Sequence, residues 1–148
     1  MRLTTRGHYG IRAILELAAN MNGPLSLKEI ARRQNISLAY LEQLFNRLKK
    51  DGLVEARRGP GGGYVLGRQA SGITVGEVYR SLEGEIVFAR CGEGEAGAEC
   101  AGAGDCISRL LWEGLGRTVR DYLDSLTLAD LLAAARDRRE PIASPSRP

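Results

Sequence analysis

The sequence predicts a mostly α-helical fold with a small β-hairpin wing: a winged helix-turn-helix domain followed by a long dimerisation helix. Three observations lead to this fold class. Two short capped helices follow each other between residues 26 and 50, and a glycine-rich hairpin comes directly after them. Further along, residues 107–126 keep an apolar helical period for about six turns.

The first element is a helix over about residues 6–21. Thr5 is its expected cap, and Asn-Gly-Pro at 22–24 ends it. Apolar residues at helical spacing predict its buried stripe: Ile11, Ile14, Leu15, Ala18 and Met21.

Two capping patterns predict the helix-turn-helix. Ser26 with Glu29 forms a capping box, which starts a helix over about residues 27–33. Ser37 caps the next helix, about 38–50. The inward side of this second helix is marked by Leu41, Leu44 and Leu48.

A β-hairpin follows the helix pair and completes the winged-helix layout. Residues 53–57 alternate as one strand, and residues 64–66 form its partner. The turn is residues 59–63, with Arg57 and Arg58 at its base. The glycines of this turn match neither the dinucleotide fingerprint nor a P-loop, so we expect no nucleotide site there.

Two further helices come before and after a cysteine-bearing segment. Thr74 with Glu77 is a capping box that starts a helix over about residues 75–82. The long helix 107–126 carries an apolar stripe of a length that, next to a small domain, usually needs a partner to cover it. We therefore expect a homodimer through this helix; packing against its own domain is the alternative.

The last helix runs from about residue 128 to 136, capped by Thr127 with Asp130. A charged tail rich in Pro and Ser follows and is expected to be disordered. The sequence thus divides into a winged helix-turn-helix domain at 1–83, a cysteine-bearing loop at 84–106, the dimerisation and terminal helices at 107–135, and the tail at 136–148.

An asymmetric charge points to double-stranded DNA as a partner. Residues 1–68 carry twelve Lys or Arg against five Asp or Glu, a net +7, whereas residues 69–148 carry nine against thirteen, a net −4. A solvated basic surface is the alternative. Because the second helix of a helix-turn-helix enters the major groove, the candidate DNA contacts are Ser37, Ala39, Tyr40, Glu42, Gln43, Arg47, Arg57 and Arg58, with Lys49 and Lys50 as further phosphate contacts.

Three of these candidates have a simpler interpretation. Ser37 is explained by its cap alone, Tyr40 by packing on the first helix, and Glu42 by solvation. Arg58 at the wing suits a minor groove, whose negative potential favours arginine.

All three cysteines lie in the segment CGEGEAGAECAGAGDC, residues 91–106. The chain shows no signal peptide and no apolar run long enough to cross a membrane, so we expect the cytoplasm. In that reducing compartment, clustered cysteines indicate metal binding or redox chemistry. The spacing is not the paired CxxC of a zinc ribbon. The glycines suit a backbone that wraps a compact site, and a helix beginning at Cys106 favours its thiolate.

Several stretches closely resemble the IscR family of bacterial iron–sulfur cluster regulators: MRLTTRGHYGIRAILELA, SLAYLEQLF, RGPGGGY, ITVGEVYRSLEG and the cysteine segment. The resemblance covers residues 1–133. It implies a dimeric winged-helix transcription regulator with an iron–sulfur cluster on Cys91, Cys100 and Cys106, and cluster-dependent promoter binding. Repression of cluster-assembly genes is what the family leads us to expect. The resemblance favours [2Fe–2S], with [4Fe–4S] as the alternative.

The chain departs from the family pattern at the fourth ligand. The first cysteine interval is three residues longer, and the family's histidine, three residues after the third cysteine, is replaced by Arg109, which cannot ligate iron. His8 is the only histidine. It stands where related branches, including the nitric-oxide-sensing one, have a carboxylate that reaches across from the partner subunit. We therefore predict that His8 completes the three-cysteine site of the other subunit.

Other fourth ligands and other functions stay open. His8 can face phosphate or solvent instead, with Glu99, Asp105, water or a small thiol as the ligand. The cysteines also suit a thiol- or zinc-based DNA-binding regulator, or an iron–sulfur electron or cluster carrier. An enzyme is not expected, because the sequence offers no Ser/His/Asp or Cys/His set and no two-histidine metal motif.

Overall fold

The computed structural model describes residues 4–88 and 106–137. Their regular elements are α-helices, apart from one antiparallel hairpin and a short 3₁₀ turn at Ala70–Gly72. The elements are α1 (Thr5–Ala19), α2 (Leu27–Gln34), α3 (Leu38–Lys50), β1 (Val54–Arg57), β2 (Gly63–Leu66), α4 (Val75–Glu83), α5 (Ile107–Ser125) and α6 (Leu128–Asp137). The predicted fold class, mostly helical with a small hairpin, is confirmed.

One apolar core joins α1 to α4, the hairpin and α6. Its largest fully buried side chains include Phe45 and Leu41 of α3, Ile14 of α1 and Leu82 of α4. Burying each such side chain contributes about 1.5–3 kcal/mol. Leu128, the first residue of α6, is fully buried in the same core, so the last helix packs against the first part of the chain.

The turn between α2 and α3 depends on one left-handed residue. Asn35 has φ 53° and ψ 49°, a conformation that asparagine tolerates better than most residues. The Ser37 hydroxyl then accepts a hydrogen bond from the Tyr40 backbone N–H at 3.2 Å. The bounds predicted for this helix are confirmed, and its inward side is buried as predicted, at Leu41, Leu44 and Leu48.

The capping box predicted at α2 forms only in part. The Ser26 hydroxyl accepts from the Glu29 backbone N–H at 3.2 Å, as expected. The Glu29 carboxylate instead accepts from Arg32 and Arg33, and these bonds lower its pKa to about 2. Two guanidinium partners within one helical turn therefore outcompete the backbone N–H at the cap.

Two predictions about α1 were wrong at its ends. The cap is Thr4, not Thr5: Thr4 has an extended backbone, and its hydroxyl accepts from the Gly7 N–H at 3.2 Å. The helix ends at Ala19, so Met21 is past its end and 85% exposed rather than part of the buried stripe. The side chain of Asn20 donates to the Gly23 carbonyl at 2.7 Å, and this bond closes the turn.

The hairpin is held against the helix pair. Leu25 and Tyr64 exchange backbone hydrogen bonds of 3.0 and 2.8 Å, and the Tyr64 ring meets Phe45 edge-on at 5.0 Å between centroids. At Gly63 a side chain would overlap the backbone of Leu25, so this close approach requires glycine. The wing is thereby fixed relative to α3.

The end of α5 is joined directly to the start of α4. Val75 N–H donates to the Leu126 carbonyl at 2.8 Å, and Leu128 N–H donates to the Ile73 carbonyl at 3.0 Å. The capping box predicted for α4 is confirmed, with Thr74 and Glu77 bonded in both directions. None of the described helices has the length and apolarity needed to span a membrane.

Candidate nucleic-acid interface and metal site

The start of α3 presents small and polar side chains to solvent. Ala39, Glu42 and Gln43 are exposed there, while Leu41 and Leu44 face the core. Ser37 is the N-cap, and its hydroxyl already accepts a backbone hydrogen bond. The exposed side at the start of this helix therefore offers the Glu42 carboxylate and the Gln43 carboxamide, both of which suit base edges in a major groove.

Tyr40 points toward α1 rather than fully into solvent. It is half-buried, and its ring meets Tyr9 edge-on at 6.3 Å between centroids. The Arg12 guanidinium lies 5.7 Å from the centre of the Tyr9 ring. This aromatic contact couples the recognition helix α3 to α1, and it leaves only part of Tyr40 available to DNA.

Arg47 is exposed on α3 and also bonded to α4. Its guanidinium donates to the Leu82 carbonyl at 3.3 Å, and Arg6 of α1 donates to the same oxygen at 3.3 Å. The Leu82 carbonyl at the end of α4 thus accepts one hydrogen bond from α1 and one from the recognition helix. Sequence reasoning missed this convergence, because it joins residues 35 and 76 positions apart.

The wing carries two exposed arginines at the base of its turn. Arg57 pairs with Glu55 at 3.2 Å, with both side chains at least half exposed, so this pair contributes at most about 1 kcal/mol. Arg58 is exposed at the start of the glycine turn, where Gly59 and Gly61 have φ of 103° and 73°. Both arginine side chains can therefore turn toward a phosphate or a groove with little loss of folding stability.

A network of ion pairs joins α1 to α2. Arg33 contacts Glu16 at 2.9 Å and Glu29 at 2.7 Å, and Arg32 contacts Glu29 at 2.8 Å. The spacing of Glu29 to Arg32 and Arg33 is the signal that predicts part of it. Arg32 and Arg33 are therefore already paired with carboxylates of α1 and α2.

Cys106 is the N-cap of α5 and the one predicted cysteine ligand within the described residues. The residue is half-buried, and its thiol lies 3.0 Å from the Ser108 hydroxyl. This hydrogen bond, with those from the backbone of Arg109 and Ser108, lowers the pKa of Cys106. A thiol with that environment fits thiolate ligation of iron.

The other predicted ligands in the loop, Cys91, Cys100, Glu99 and Asp105, lie outside the described residues. Within the described residues, no three His, Cys, Asp or Glu side chains come together as a metal site. Arg109 is half-buried and pairs with Glu113 at 2.6 Å along α5.

His8 is exposed in the first turn of α1, and its ring centroid lies 5.4 Å from that of Tyr9. This turn is fixed by α4, because the Glu83 carboxylate accepts from Gly7 N–H at 2.7 Å and from the Thr4 hydroxyl. The imidazole is therefore presented outward from an anchored helix end. No local sequence pattern predicts this contact, because its residues are over seventy positions apart.

The N-terminal half of α5 is apolar and exposed in a single chain. Apart from Gly116, none of the described residues of this helix is buried. The exposed large side chains are Ile107 (85%), Leu110 (72%), Leu111 (62%), Trp112 (40%) and Leu115 (38%).

A protein-family model described as Rrf2, iron-dependent transcriptional regulator, matches residues 3–134. Among curated proteins, the HTH-type transcriptional regulator IscR of Klebsiella pneumoniae (strain 342) is 46% identical over 133 residues, covering 89% of this chain and 80% of that protein. IscR of Escherichia coli (strain K12 / DH10B) gives the same identity and coverage.

Two solved structures share the fold. IscR of T. potens has a TM-score of 0.77 and 38% identity, covering 97% of this chain and 94% of that one. The structure titled CymR (YrzC), the global cysteine regulator of B. subtilis, has a TM-score of 0.74 and 41% identity, covering 90% and 97%. The similar proteins named here are regulators and not enzymes.

Proposed function

The chain belongs to the Rrf2 family and is a DNA-binding transcriptional regulator of the IscR type. From this premise we propose that it acts as a cytoplasmic homodimer whose DNA binding is controlled by an iron–sulfur cluster. The cluster would be held by three cysteines and one other ligand. The observation that carries the proposal is the position of Cys106 as the N-cap of α5, in a chain whose family is described as iron-dependent. Repression of cluster-assembly genes is the expected output.

The DNA-binding unit we propose is residues 1–83, supported by α6. The exposed side of α3 would enter the major groove, with Glu42 and Gln43 at base edges. Lys49, Lys50 and the arginines of α3 and the wing would contact phosphates, and Arg58 would enter a minor groove.

The homodimer would form through α5, in the part of the chain that we assign to residues 107–135. Five large apolar side chains between Ile107 and Leu115 are exposed in one protomer, and such a stripe favours burial against a second copy. Leu111→Asp places a charge in the middle of this stripe. We expect the variant to sediment as a monomer, whereas Asp121→Asn, on the exposed part of the same helix, should remain dimeric. A dimeric Leu111→Asp protein would contradict this interface.

The cluster would be held in the loop assigned to residues 84–106. Two anchors support this assignment: Phe88 lies against Gly116 of α5, and Cys106 begins the same helix. Cys106 and Gly116 are ten positions apart, which corresponds to about 15 Å at the rise of an α-helix. Seventeen residues, 89–105, join these anchors, so the loop is long enough for all three cysteines to approach one centre. When bound, the cluster would supply an iron centre that can change redox state or be lost, and DNA binding would depend on its presence or redox state.

The proposed fourth ligand is His8 of the partner subunit. Its support is chemical and positional: imidazole ligates iron, and the first turn of α1 presents His8 to solvent while Glu83 holds that turn in place. Arg109 is paired with Glu113 and stays protonated, so it cannot take this role.

Anaerobic purification followed by visible spectroscopy, iron and sulfide analysis tests both parts. The wild-type protein should contain iron and sulfide and absorb in the visible, and Cys106→Ser should lose both. His8→Ala should lose or shift the visible bands, and adding Arg109→His to His8→Ala should restore a bound cluster, because it places imidazole where the IscR family has it. Full retention and an unchanged spectrum in His8→Ala would rule out His8 as a ligand.

Thiol-based sensing without a cluster is the second candidate function. It is favoured by the similarity to structures titled CymR, the global cysteine regulator, one of them an oxidized form from Staphylococcus aureus at 37% identity and a TM-score of 0.69. A protein without colour or metal, whose DNA binding changes on oxidation, would support this candidate. Zinc in place of iron and sulfide would identify the zinc-based form, and cluster binding without specific DNA binding would indicate a carrier.

A further inference from the structure

We propose that Asp124 of α5 is a positioning residue that fixes the angle between the dimerisation helix and the DNA-binding unit, and thereby sets the distance between the two recognition helices of a dimer. The inference rests on the dimeric, DNA-binding function proposed above. It concerns a contact at the opposite end of α5 from Cys106 and the apolar stripe.

Asp124 is held by a two-pronged ion pair to α4. Arg80 donates through one guanidinium nitrogen to Oδ1 at 2.8 Å and through the other to Oδ2 at 3.1 Å. A two-pronged arginine–carboxylate pair restricts orientation as well as distance, because the two planar groups must lie edge to edge to make both hydrogen bonds. The Arg80 side chain is 27% exposed and that of Asp124 is 42% exposed, so the effect of the pair is mainly geometric.

The carboxylate of Asp124 lies against bare backbone. A Cβ added at Gly76, in the first turn of α4, would overlap Oδ1 of Asp124 and come within 3.2 Å of the Arg80 guanidinium. Gly76 is buried, and its φ lies outside the left-handed region. Glycine is therefore required here by the close approach of α5 to α4 and not by the backbone conformation.

The ion pair lies next to a backbone joint. Two hydrogen bonds link residues 73–75 to residues 126–128, and Leu126 and Leu128 are buried there. One turn earlier on α5, Arg120 donates to the Ile86 carbonyl at 2.8 Å. The joint alone fixes where α5 meets α4, and the two side-chain contacts fix the direction in which α5 leaves it.

Direction matters because α5 acts as a lever. From Leu111, in the exposed stripe, to Asp124 the helix extends about 20 Å. In a dimer formed through the apolar stripe, each DNA-binding unit would be attached to the Asp124 end of α5. A tilt of about 10° moves a point about 20 Å away by about 3.5 Å, close to the separation of successive base pairs in half-sites that lie 34–36 Å apart.

The experiment measures the spacing preference of the dimer. An operator is first selected by the wild-type protein from random duplex DNA, and variants of it are made with one base pair removed, or with one or two added, between the half-sites. Affinities of wild type, Asp124→Ala and Gly76→Ala are then measured on each duplex. Asp124→Ala removes the ion pair, whereas Gly76→Ala keeps both charges and displaces the carboxylate.

We expect both variants to lose at least about fivefold of the wild-type preference for the selected spacing, while they remain dimeric and folded. The matched control is Asp121→Asn, which removes the same charge from an exposed position of the same helix and should keep the wild-type profile. An unchanged profile in both Asp124→Ala and Gly76→Ala would overturn the inference. If wild type itself showed no preference for paired half-sites, the proposed dimeric function would fail instead.

Discussion

The guanidinium of Arg47, on the recognition helix α3, donates a hydrogen bond of 3.3 Å to the carbonyl oxygen of Leu82 at the end of α4. Arg47 is nevertheless exposed, and a guanidinium has five donors, so this bond leaves others for a DNA phosphate. The same carbonyl also accepts from Arg6. One carbonyl oxygen of α4 therefore accepts hydrogen bonds from both α1 and α3.

We predict that Arg47→Gln weakens DNA binding about tenfold on any sequence and lowers the slope of log affinity against log salt by about 1, because one phosphate contact is lost. Titrations over a salt series on operator and random DNA would measure both effects. Arg6→Gln removes the other bond to the Leu82 carbonyl and serves as the control, with an unchanged slope. Equal slopes for Arg47→Gln and wild type would show that Arg47 acts only through Leu82.

We predict that Gln43→Ala changes sequence preference with little change in salt dependence. Gln43 is exposed on the side of α3 away from Leu41 and Leu44, and a carboxamide contact to a base edge contributes about 1–3 kcal/mol of discrimination. Affinities for an operator and for its single-base variants would show at which position discrimination falls. A uniform loss at all positions would contradict a base contact, and Asn46→Ala, exposed one turn further along, is the matched control.

Whether a feature of this fold can be predicted from the sequence depends on how far apart in the chain the contacting residues lie. Local rules predicted α3 to the residue, since the cap at Ser37 and the leucine period lie within one segment. They failed at Met21, where Asn20 and Gly23 close a turn that ends the helix two residues early. Periodicity alone does not show where such a turn begins.

The contacts that organise the candidate site join distant parts of the chain, and no local pattern predicts them. Glu83 holds the turn that carries His8, and Asp124 lies against Gly76. Each depends on how helices pack in three dimensions. The candidate ligands themselves came from residue chemistry and from the resemblance to a family, and their assembly around one centre stays a prediction.

We predict that Gly10→Ala destabilises the protein, although alanine normally favours a helix over glycine by up to about 1 kcal/mol. A Cβ at Gly10 would overlap Cδ1 of Leu82, which is fully buried and cannot move aside freely. Overpacking of this kind costs about 1–3 kcal/mol, so sterics outweigh propensity. Urea unfolding would measure the change. Gly72→Ala, at a position with open space around it, should have little effect, and a more stable Gly10→Ala protein would contradict the close α1–α4 packing.

The stability contributed by Glu77 should depend on pH. Burial alone would raise the pKa of Glu77, but the backbone N–H of Thr74 and the Arg68 guanidinium at 2.7 Å outweigh it and leave the pKa lowered. A carboxylate with a lowered folded pKa stabilises the protein fully above its ordinary value of 4.5, and this stabilisation is lost as pH falls through the folded value.

We therefore expect Glu77→Gln to be less stable than wild type by about 0.5–1 kcal/mol at pH 7, since glutamine keeps the cap but loses the ion pair. The difference should disappear once the carboxyl is protonated in the folded protein. Urea unfolding of both proteins at pH 7, 5 and 3 measures it. Arg68→Gln, which removes the cation instead, should show the same pH trend because it also breaks the ion pair. A difference between Glu77→Gln and wild type that is as large at pH 3 as at pH 7 would mean that Glu77 acts through packing and not through its charge.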